Sequence, residues 1–311
     1  MKHFELCAIV KRGELTYCSH HMKNCAFLTM DDEAGFVIDD VHAYEPLEQL
    51  GWKVSSLSWK QVEISWSEFD AVIIRSCWDY PSQLPEFLQV LDQINQQTRL
   101  ANPLDLVRWN LSKSYLRDLE TQGIGIVPTL WADDLDEPSL MACLNRLNTV
   151  GMVIKPVVGA HGVDTFHISR STDSAKLKEV VRLFRNRPHL VQPFMNGVIS
   201  EGEFSLFYFN GKYSHSILKK PTGSEFRSQE ERGATIRAAR PEARLMMRGR
   251  QALERISAVP LYARIDFVRD DHGEFRVMEL ELIEPSLYLR MHPEAPARFA
   301  RAIDDWCHIG G

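Results

Sequence analysis

Tyr262-Ala263-Arg264-Ile265-Asp266-Phe267-Val268 leads into Asp271-His272-Gly273 and then Phe275-Arg276-Val277-Met278-Glu279-Leu280-Glu281-Leu282-Ile283-Glu284-Pro285-Ser286. Both arms alternate polar and apolar residues with a period of two, and a turn-forming triplet separates them. This predicts a β-hairpin. Side chains two apart on a strand share a face. Arg264 and Asp266 are therefore expected to point one way, Val277, Glu279 and Glu281 to share a face, and a short turn to set Arg264 opposite Glu279. Three carboxylates on one sheet face repel one another and lose hydration unless a cation sits among them. An all-oxygen donor set of this kind suits Mg²⁺, which takes a few carboxylates and completes its shell with phosphates. A solvated acidic strand face is the alternative, but Phe267, Met278, Leu280 and Leu282 favour a buried sheet.

The 311 residues are 44% hydrophobic and 25% charged, the balance of a globular protein of two or three lobes. A formal net charge of −6 argues against a nucleic-acid binder. No apolar run approaches the roughly 18–20 residues needed to span a bilayer, and residues 1–23 are too charged for a signal peptide. The six scattered cysteines suit reduced thiols and a cytoplasmic location. Cys7, Cys18, His20, His21 and Cys25 can be drawn as a zinc site, but their spacing matches no compact zinc pattern. A short strand pair is the plainer reading of residues 1–24.

From Asn24 the pattern is βα. Cys25 to Thr29, Lys53 to Leu57 and Ala71 to Ile74 read as strands. Asp39-Asp40 read as the cap of a helix that stops at Gly51, and Leu84 to Ile94 as an amphipathic helix. The third strand ends in Arg75-Ser76-Cys77-Trp78-Asp79-Tyr80. Ligands of open α/β sheets bind at the carboxyl ends of strands, so Arg75, Ser76, Trp78 and Asp79 are substrate-site candidates. The alternative is a polar loop around a packed tryptophan.

Asn102-Pro103 punctuates the chain. A helix is expected to open near Arg108 to Leu116, with Asn110 or Ser112 as its cap. Gly151 to Pro156 is a strand ending in Lys155, followed by a glycine-bearing loop whose backbone can approach phosphates. A lysine there is expensive unless it meets an anion. Leu190-Val-Gln192-Pro193-Phe194 has the look of a hinge. Glu203 to Leu218 is a second hairpin, turning at Asn210-Gly211. Residues 222–240 carry four arginines and read either as a basic loop that closes over phosphates or as a solvated charge run. Of these arginines, Arg227 is the functional candidate.

In this order, Lys113, Lys155 with its loop, Gln192-Pro193-Phe194, Glu203, the basic segment, Arg264-x-Asp266 and Glu279-x-Glu281 resemble the ATP-grasp superfamily. Within it they resemble the carboxylate–amine ligases, such as prokaryotic glutathione synthetase and D-alanine–D-alanine ligase, with Arg-Ser-x-Trp-Asp-Tyr and Glu-Leu-Glu-Leu-x-Glu-Pro-Ser-Leu closest to the D-cycloserine-forming group. The resemblance implies an α/β protein with an ATP-grasp fold and a Rossmann-like pre-ATP-grasp domain. The implied divisions are an extension (1–24), the pre-ATP-grasp domain (25–107), the small or lid domain (108–190) and the C-terminal domain (191–311). It further implies that Lys113 and Lys155 hold ATP phosphates, Gln192, Pro193 and Phe194 read adenine, and Glu203 binds the ribose. By the same resemblance Asp266, Glu279 and Glu281 bind one or two Mg²⁺ ions, with Mn²⁺ as a substitute, and Arg264 steadies the transferred phosphoryl group and the acyl phosphate; Arg227, on the basic loop, is the second catalytic candidate. Many relatives carry Asn where Glu281 stands, and an acid where Gln192 stands.

The implied reaction is activation of a small carboxylate as an acyl phosphate and its capture by an amine, in ligation or in cyclisation, releasing ADP and phosphate. The expected partners are amino-acid-like substrates and, from the habits of the resembled families, a second copy of the chain in a homodimer; neither nucleic acid nor membrane is expected. A kinase acting on a hydroxyl and a non-catalytic nucleotide-binding module are the competing readings.

Overall fold

The structure is a computed structural model that describes residues 22–223 and 225–308, together with the backbone of two strands, β1 (Glu5–Lys11) and β2 (Glu14–His20), which pair antiparallel. The side chains of Cys7, Cys18, His20 and His21 lie outside the described residues; Cys25 is a buried core thiol.

The chain divides into two compact units. The first comprises residues 1–34, 38–104 and 284–311. Its sheet contains β3 (Lys23–Thr29), β4 (Trp52–Ser58), β5 (Ala71–Ile74) and β6 (Leu100–Ala101), all parallel, in the order β4-β3-β5-β6. Cys25 to Thr29 and all of β5 are buried, as expected of continuous apolar strands covered on both faces. Phe87, Leu91 and Ile94 of the helix Leu84–Gln97 and Phe299 and Ile303 of the C-terminal helix Ala295–His308 are buried in this unit.

The C-terminal segment was expected in the last ATP-grasp domain, but residues 284–311 pack with the first unit. The reason is visible in its bonds: the Asp304 carboxylate accepts from Lys23 Nζ (2.8 Å) and Trp52 Nε1 (2.9 Å), and the Arg99 guanidinium donates to the Trp306 carbonyl (3.0 Å). The helix expected after Asp39-Asp40 begins as a 3-10 turn, Asp40–Ala43, and continues as Tyr44–Gln49. Neither aspartate caps it, because both carboxylates are committed elsewhere: Asp39 to Arg290 (2.6 Å) and Asp40 to Arg75 (2.9 Å).

The second unit, residues 35–37 and 105–283, holds two antiparallel sheets. One contains β7 (Leu130–Ala132), β8 (Gly151–Pro156), β9 (Phe166–Ser169) and β10 (His189–Pro193) in the order β7-β10-β8-β9. The helices Glu137–Arg146 and Ser174–Phe184 build its core around Leu140, Leu144, Val180 and Phe184. The other contains β11 (Glu203–Phe209), β12 (Lys212–Lys220), β13 (Thr235–Ala238), β14 (Tyr262–Arg269) and β15 (Phe275–Glu281) in the order β13-β12-β11-β14-β15.

The β14–β15 hairpin forms, with two corrections. Arg264 faces Glu281, and Asp266 faces Glu279. Phe267 then faces Val277, so Met278 is an extra residue, a β-bulge. The bulge breaks the alternation. Val277 turns into the core with Phe275, Leu280 and Leu282, while Glu279 and Glu281 face the opposite side. The expected helix around Arg108 to Leu116 is two helices, Leu104–Asn110 and Tyr115–Thr121. Asn110 is not a cap: its amide donates to the Leu280 carbonyl (2.9 Å) and accepts from Leu282 N (2.8 Å), holding the outer edge of β15.

Candidate active site

The face of the five-stranded sheet opposite its core carries the charged residues. Cross-strand pairing aligns Ser205, Asp266 and Glu279 in one row, and Phe207, Arg264 and Glu281 in the next. Glu203 faces Lys219 on the neighbouring pair. Arg264 lies between two acids: Nη2 stands 3.1 Å from Asp266 Oδ2 and also contacts Glu281 Oε1. Asp266, 2% exposed, further accepts from Ser205 Oγ (2.5 Å) and sits 3.4 Å from Lys219 Nζ, which also contacts Glu203. From the other sheet, Lys155 Nζ donates to Glu279 Oε1 at 2.6 Å, and Lys113 Nζ lies 3.9 Å from the same oxygen. Lys113 also ties down the loop after β8, donating Nζ to the Gly159 carbonyl (2.9 Å) and its backbone N to the Val157 carbonyl (2.7 Å).

Four cations, Lys113, Lys155, Lys219 and Arg264, thus meet four carboxylates, Glu203, Asp266, Glu279 and Glu281. Their titration reflects this crowding. Burial pushes Glu281 up to about 7, Arg264 opposes the shift, and the carboxylates of Asp266 and Glu279 reinforce it. Burial raises Glu203 against the pull of Lys219. At Glu279 burial acts upward as well, but Lys113 and Lys155 outweigh it and hold the carboxyl below its ordinary range. At Asp266, Arg264 and Lys219 likewise overcome burial and lower it.

The segment expected to act as a hinge ends β10. Phe194 N donates to the Gly151 carbonyl (2.8 Å), and the Phe194 ring lies 4.4 Å from the His167 ring, with Phe226 of the basic loop 5.8 Å from His167. Gln192 is buried and turns its amide to Thr129 Oγ1 (3.0 Å). Among the described residues Arg227 bonds within the basic loop and to the loop after Lys155, not to the sheet's charged row. It chelates Glu225 (2.8 and 2.9 Å) and donates to the Gly162 carbonyl (3.3 Å), tying the basic loop to the loop after Lys155. Arg232 adds a bond to the His161 carbonyl (3.4 Å). Arg244 and Arg248, on the helix Ala243–Leu253, pair with Glu274.

The candidate substrate residues of the first unit have internal roles. Arg75 is 1% exposed, with Nε on Asp40 (2.9 Å) and Nη2 on the Pro285 carbonyl (2.8 Å). Its guanidinium is enclosed by these acceptors and by the Phe299 ring. Trp78 Nε1 holds the Glu284 carbonyl (2.8 Å), Ser76 Oγ donates to Glu33 (3.1 Å), and Asp79 accepts from Trp59 Nε1 (2.7 Å) and Lys60 Nζ (2.5 Å). Arg75→Leu strands Asp40 as a buried carboxylate and is expected to lower unfolding free energy by about 3–5 kcal/mol, read by denaturant titration.

Sequence reasoning passed over Lys219, Ser205 and His161. The two-residue turn at Asn210-Gly211 counts Glu203 opposite Leu218. A register shift between Phe207 and Tyr208 moves the partner to Lys219, so the hairpin signal alone points one residue short.

Two antiparallel sheets, one supplying a lysine and a glycine-bearing loop and the other an arginine flanked by acids, define an ATP-grasp enzyme. The family model for the N-terminal domain of D-cycloserine synthetase DcsG matches residues 25–102. The cycloserine biosynthesis protein DcsG of Streptomyces lavendulae is 33% identical over 252 residues, spanning 76% of this chain and 83% of that protein. The crystal structure of D-cycloserine synthetase DcsG superposes with a TM-score of 0.81 at 28% identity, over 91% of this chain and 99% of that one. D-alanine–D-alanine ligase from Bacillus anthracis shares the fold, with a TM-score of 0.64 at 13% identity over 92% and 98% of the two chains. The chain belongs to the DcsG family of ATP-grasp ligases and is an ATP-dependent carboxylate–amine ligase. Among the described residues no helix is long and apolar enough to cross a membrane.

Proposed function

We propose that this ligase activates the carboxylate of a small amino acid at the Arg264 row and closes or joins it through an amine, with Mg²⁺ accompanying ATP. The observation that carries the reading is the convergence of Lys155 and Lys113 on Glu279, beside Arg264 held between Asp266 and Glu281.

The donor set fits a divalent cation. Among the described residues no three acidic, imidazole or thiol groups stand in metal-binding geometry; the acids are paired with Lys155, Lys219 and Arg264 instead. Cations and carboxylates already balance, so a polyphosphate tail leaves the site negative unless a divalent ion comes with it. Hard oxygen donors suit Mg²⁺, and Glu281, pushed up to about 7 by burial and neighbouring acids, gains from a cation beside it. Asp266, Glu279 and Glu281 would hold the ion, which when bound neutralises developing phosphate charge.

Lys113 and Lys155 exchange Glu279 for phosphate oxygens, and Lys219 adds a third ammonium near Asp266. Arg264 steadies the acyl phosphate by charge and position. Arg227 and Arg232 act indirectly, by fastening the basic loop to the loop after Lys155 and screening the site from water. The backbone of Gln192 to Phe194, with Phe194 and His167, forms the base-binding end, and Glu203 serves the ribose.

D-cycloserine contains an N–C bond between an aminooxy nitrogen and a carboxyl carbon. O-amino-D-serine is therefore the cyclisation substrate to test. ADP and free phosphate in equal amounts, with D-cycloserine formed, is the expected result in the presence of Mg²⁺. Stable phosphate on the substrate would mark a kinase and overturn the reading, as would ATP turnover unaffected by O-amino-D-serine and by a panel of amino acids with amines.

A further inference from the structure

The two oxygens of Asp266 are held by different kinds of donor. Ser205, its cross-strand partner on β11, is fully buried and donates its hydroxyl to Oδ1 at 2.5 Å. Oδ2 has Arg264 Nη2 at 3.1 Å and Lys219 Nζ at 3.4 Å, and Arg264 Nε is shared between both oxygens at 3.1 and 3.2 Å. Arg264 and Lys219 end long, flexible side chains, and each has a second acid within reach, Glu281 and Glu203 respectively. Both can therefore release Oδ2 to another cation without being stranded. The hydroxyl of Ser205 cannot follow them. It sits on a single-carbon stem in the central strand of the sheet, with Ile217 of β12, also fully buried, on its other side in the same row. Turned away from Oδ1, it would have no water to bond.

We propose that Ser205 sets the preference of this site for Mg²⁺ over Ca²⁺, by engaging Oδ1 and leaving Asp266 a single oxygen to offer. The proposal rests on the assignment of Asp266 to the metal in the ligase reading above. Mg²⁺ demands a near-ideal octahedron at short metal–oxygen distances, and the two oxygens of one carboxylate stand too close together to fill neighbouring corners of it. Ca²⁺ accepts a larger and looser shell and takes both oxygens of a carboxylate readily. A two-oxygen grip on Asp266 has to compete with the Ser205 hydroxyl for Oδ1, whereas a bond through Oδ2 alone leaves the hydroxyl in place. Ser205 is thus a positioning residue that acts through Asp266, as outer hydrogen bonds to ligating carboxylates do at metal sites generally.

Ser205→Ala removes the hydroxyl and adds no bulk, and Asp266 keeps Arg264 and Lys219. Thermal unfolding of the full chain with ADP, titrated with Mg²⁺ or with Ca²⁺, reads metal binding without turnover. The association of each ion with free ADP is common to both proteins, so a difference between them belongs to the site. In the variant the half-saturating Mg²⁺ concentration is expected to rise about tenfold, the scale of a lost outer hydrogen bond, with that of Ca²⁺ within about twofold of wild type, so that discrimination falls accordingly. Ser205→Thr, which keeps the hydroxyl, should keep the wild-type preference. Equal weakening of both ions in Ser205→Ala, or an unchanged preference, would make Ser205 a merely structural part of the sheet and overturn the proposal, as would a Ser205→Thr variant that behaves as the alanine variant does. Wild-type protein that neither ion stabilises beyond ADP alone would overturn the assignment of Asp266 to the metal, and the role of Ser205 with it.

Discussion

Asp266→Asn is expected to lower kcat/KM for ATP-dependent ligation by about 1000-fold or more, the scale of losing a pre-set charge from a phosphoryl-transfer site. The substitution preserves shape. Asp266 is 2% exposed and receives Ser205, Arg264 and Lys219; the amide oxygen of Asn can keep one of these bonds. Neither cation is stranded, since Arg264 retains Glu281 and Lys219 retains Glu203. The fold should therefore survive, with circular dichroism unchanged, and the loss should fall on turnover. The dependence of the residual rate on Mg²⁺ concentration should shift to higher concentration. Turnover within tenfold of wild type would remove Asp266 from the proposed metal site.

Lys155→Ala carries the second large effect, about 100- to 1000-fold in kcat/KM with a raised KM for ATP. Lys155 is 7% exposed at the end of β8, and its ammonium has Glu279 at 2.6 Å. Without it, Glu279 keeps only the more distant Lys113 at 3.9 Å, and the phosphate-binding pair is reduced to one. Lys155→Arg should not rescue, because a planar fork cannot take the place of a compact ammonium in an enclosed position. Steady-state kinetics with O-amino-D-serine would check both variants. An alanine variant with an unchanged KM for ATP would separate Lys155 from the nucleotide.

The parts of this architecture that local chemistry dictates were legible in the sequence. The Asn210-Gly211 turn set the β11–β12 hairpin, the helix beginning at Leu84 followed its amphipathic face, and β5 read as a strand from four consecutive apolar residues. What escaped depended on single-residue insertions and on distant partners. The bulge at Met278 reversed the facing of Val277 and exchanged the partner expected for Arg264. The shift near Phe207 hid Lys219. Arg75 read as a ligand arm because its acceptors, Asp40 and the Pro285 carbonyl, lie 35 and 210 residues away. Lys155 and Glu279, 124 residues apart, were associated through the order of motifs, since no spacing rule could join them.

The extra residue in β15 divides one strand into two regions under different constraints. On the turn side, Phe275 and Val277 answer to packing; beyond the bulge, Glu279 and Glu281 answer to chemistry while Leu280 secures them from behind. A library that randomises the first pair explores robustness with little change in selectivity, whereas one that randomises the second explores ion and phosphate preference on an unchanged scaffold. Deleting Met278 would make β15 one regular strand, with Val277 and Leu280 still facing the core and Glu279 and Glu281 still on the opposite face.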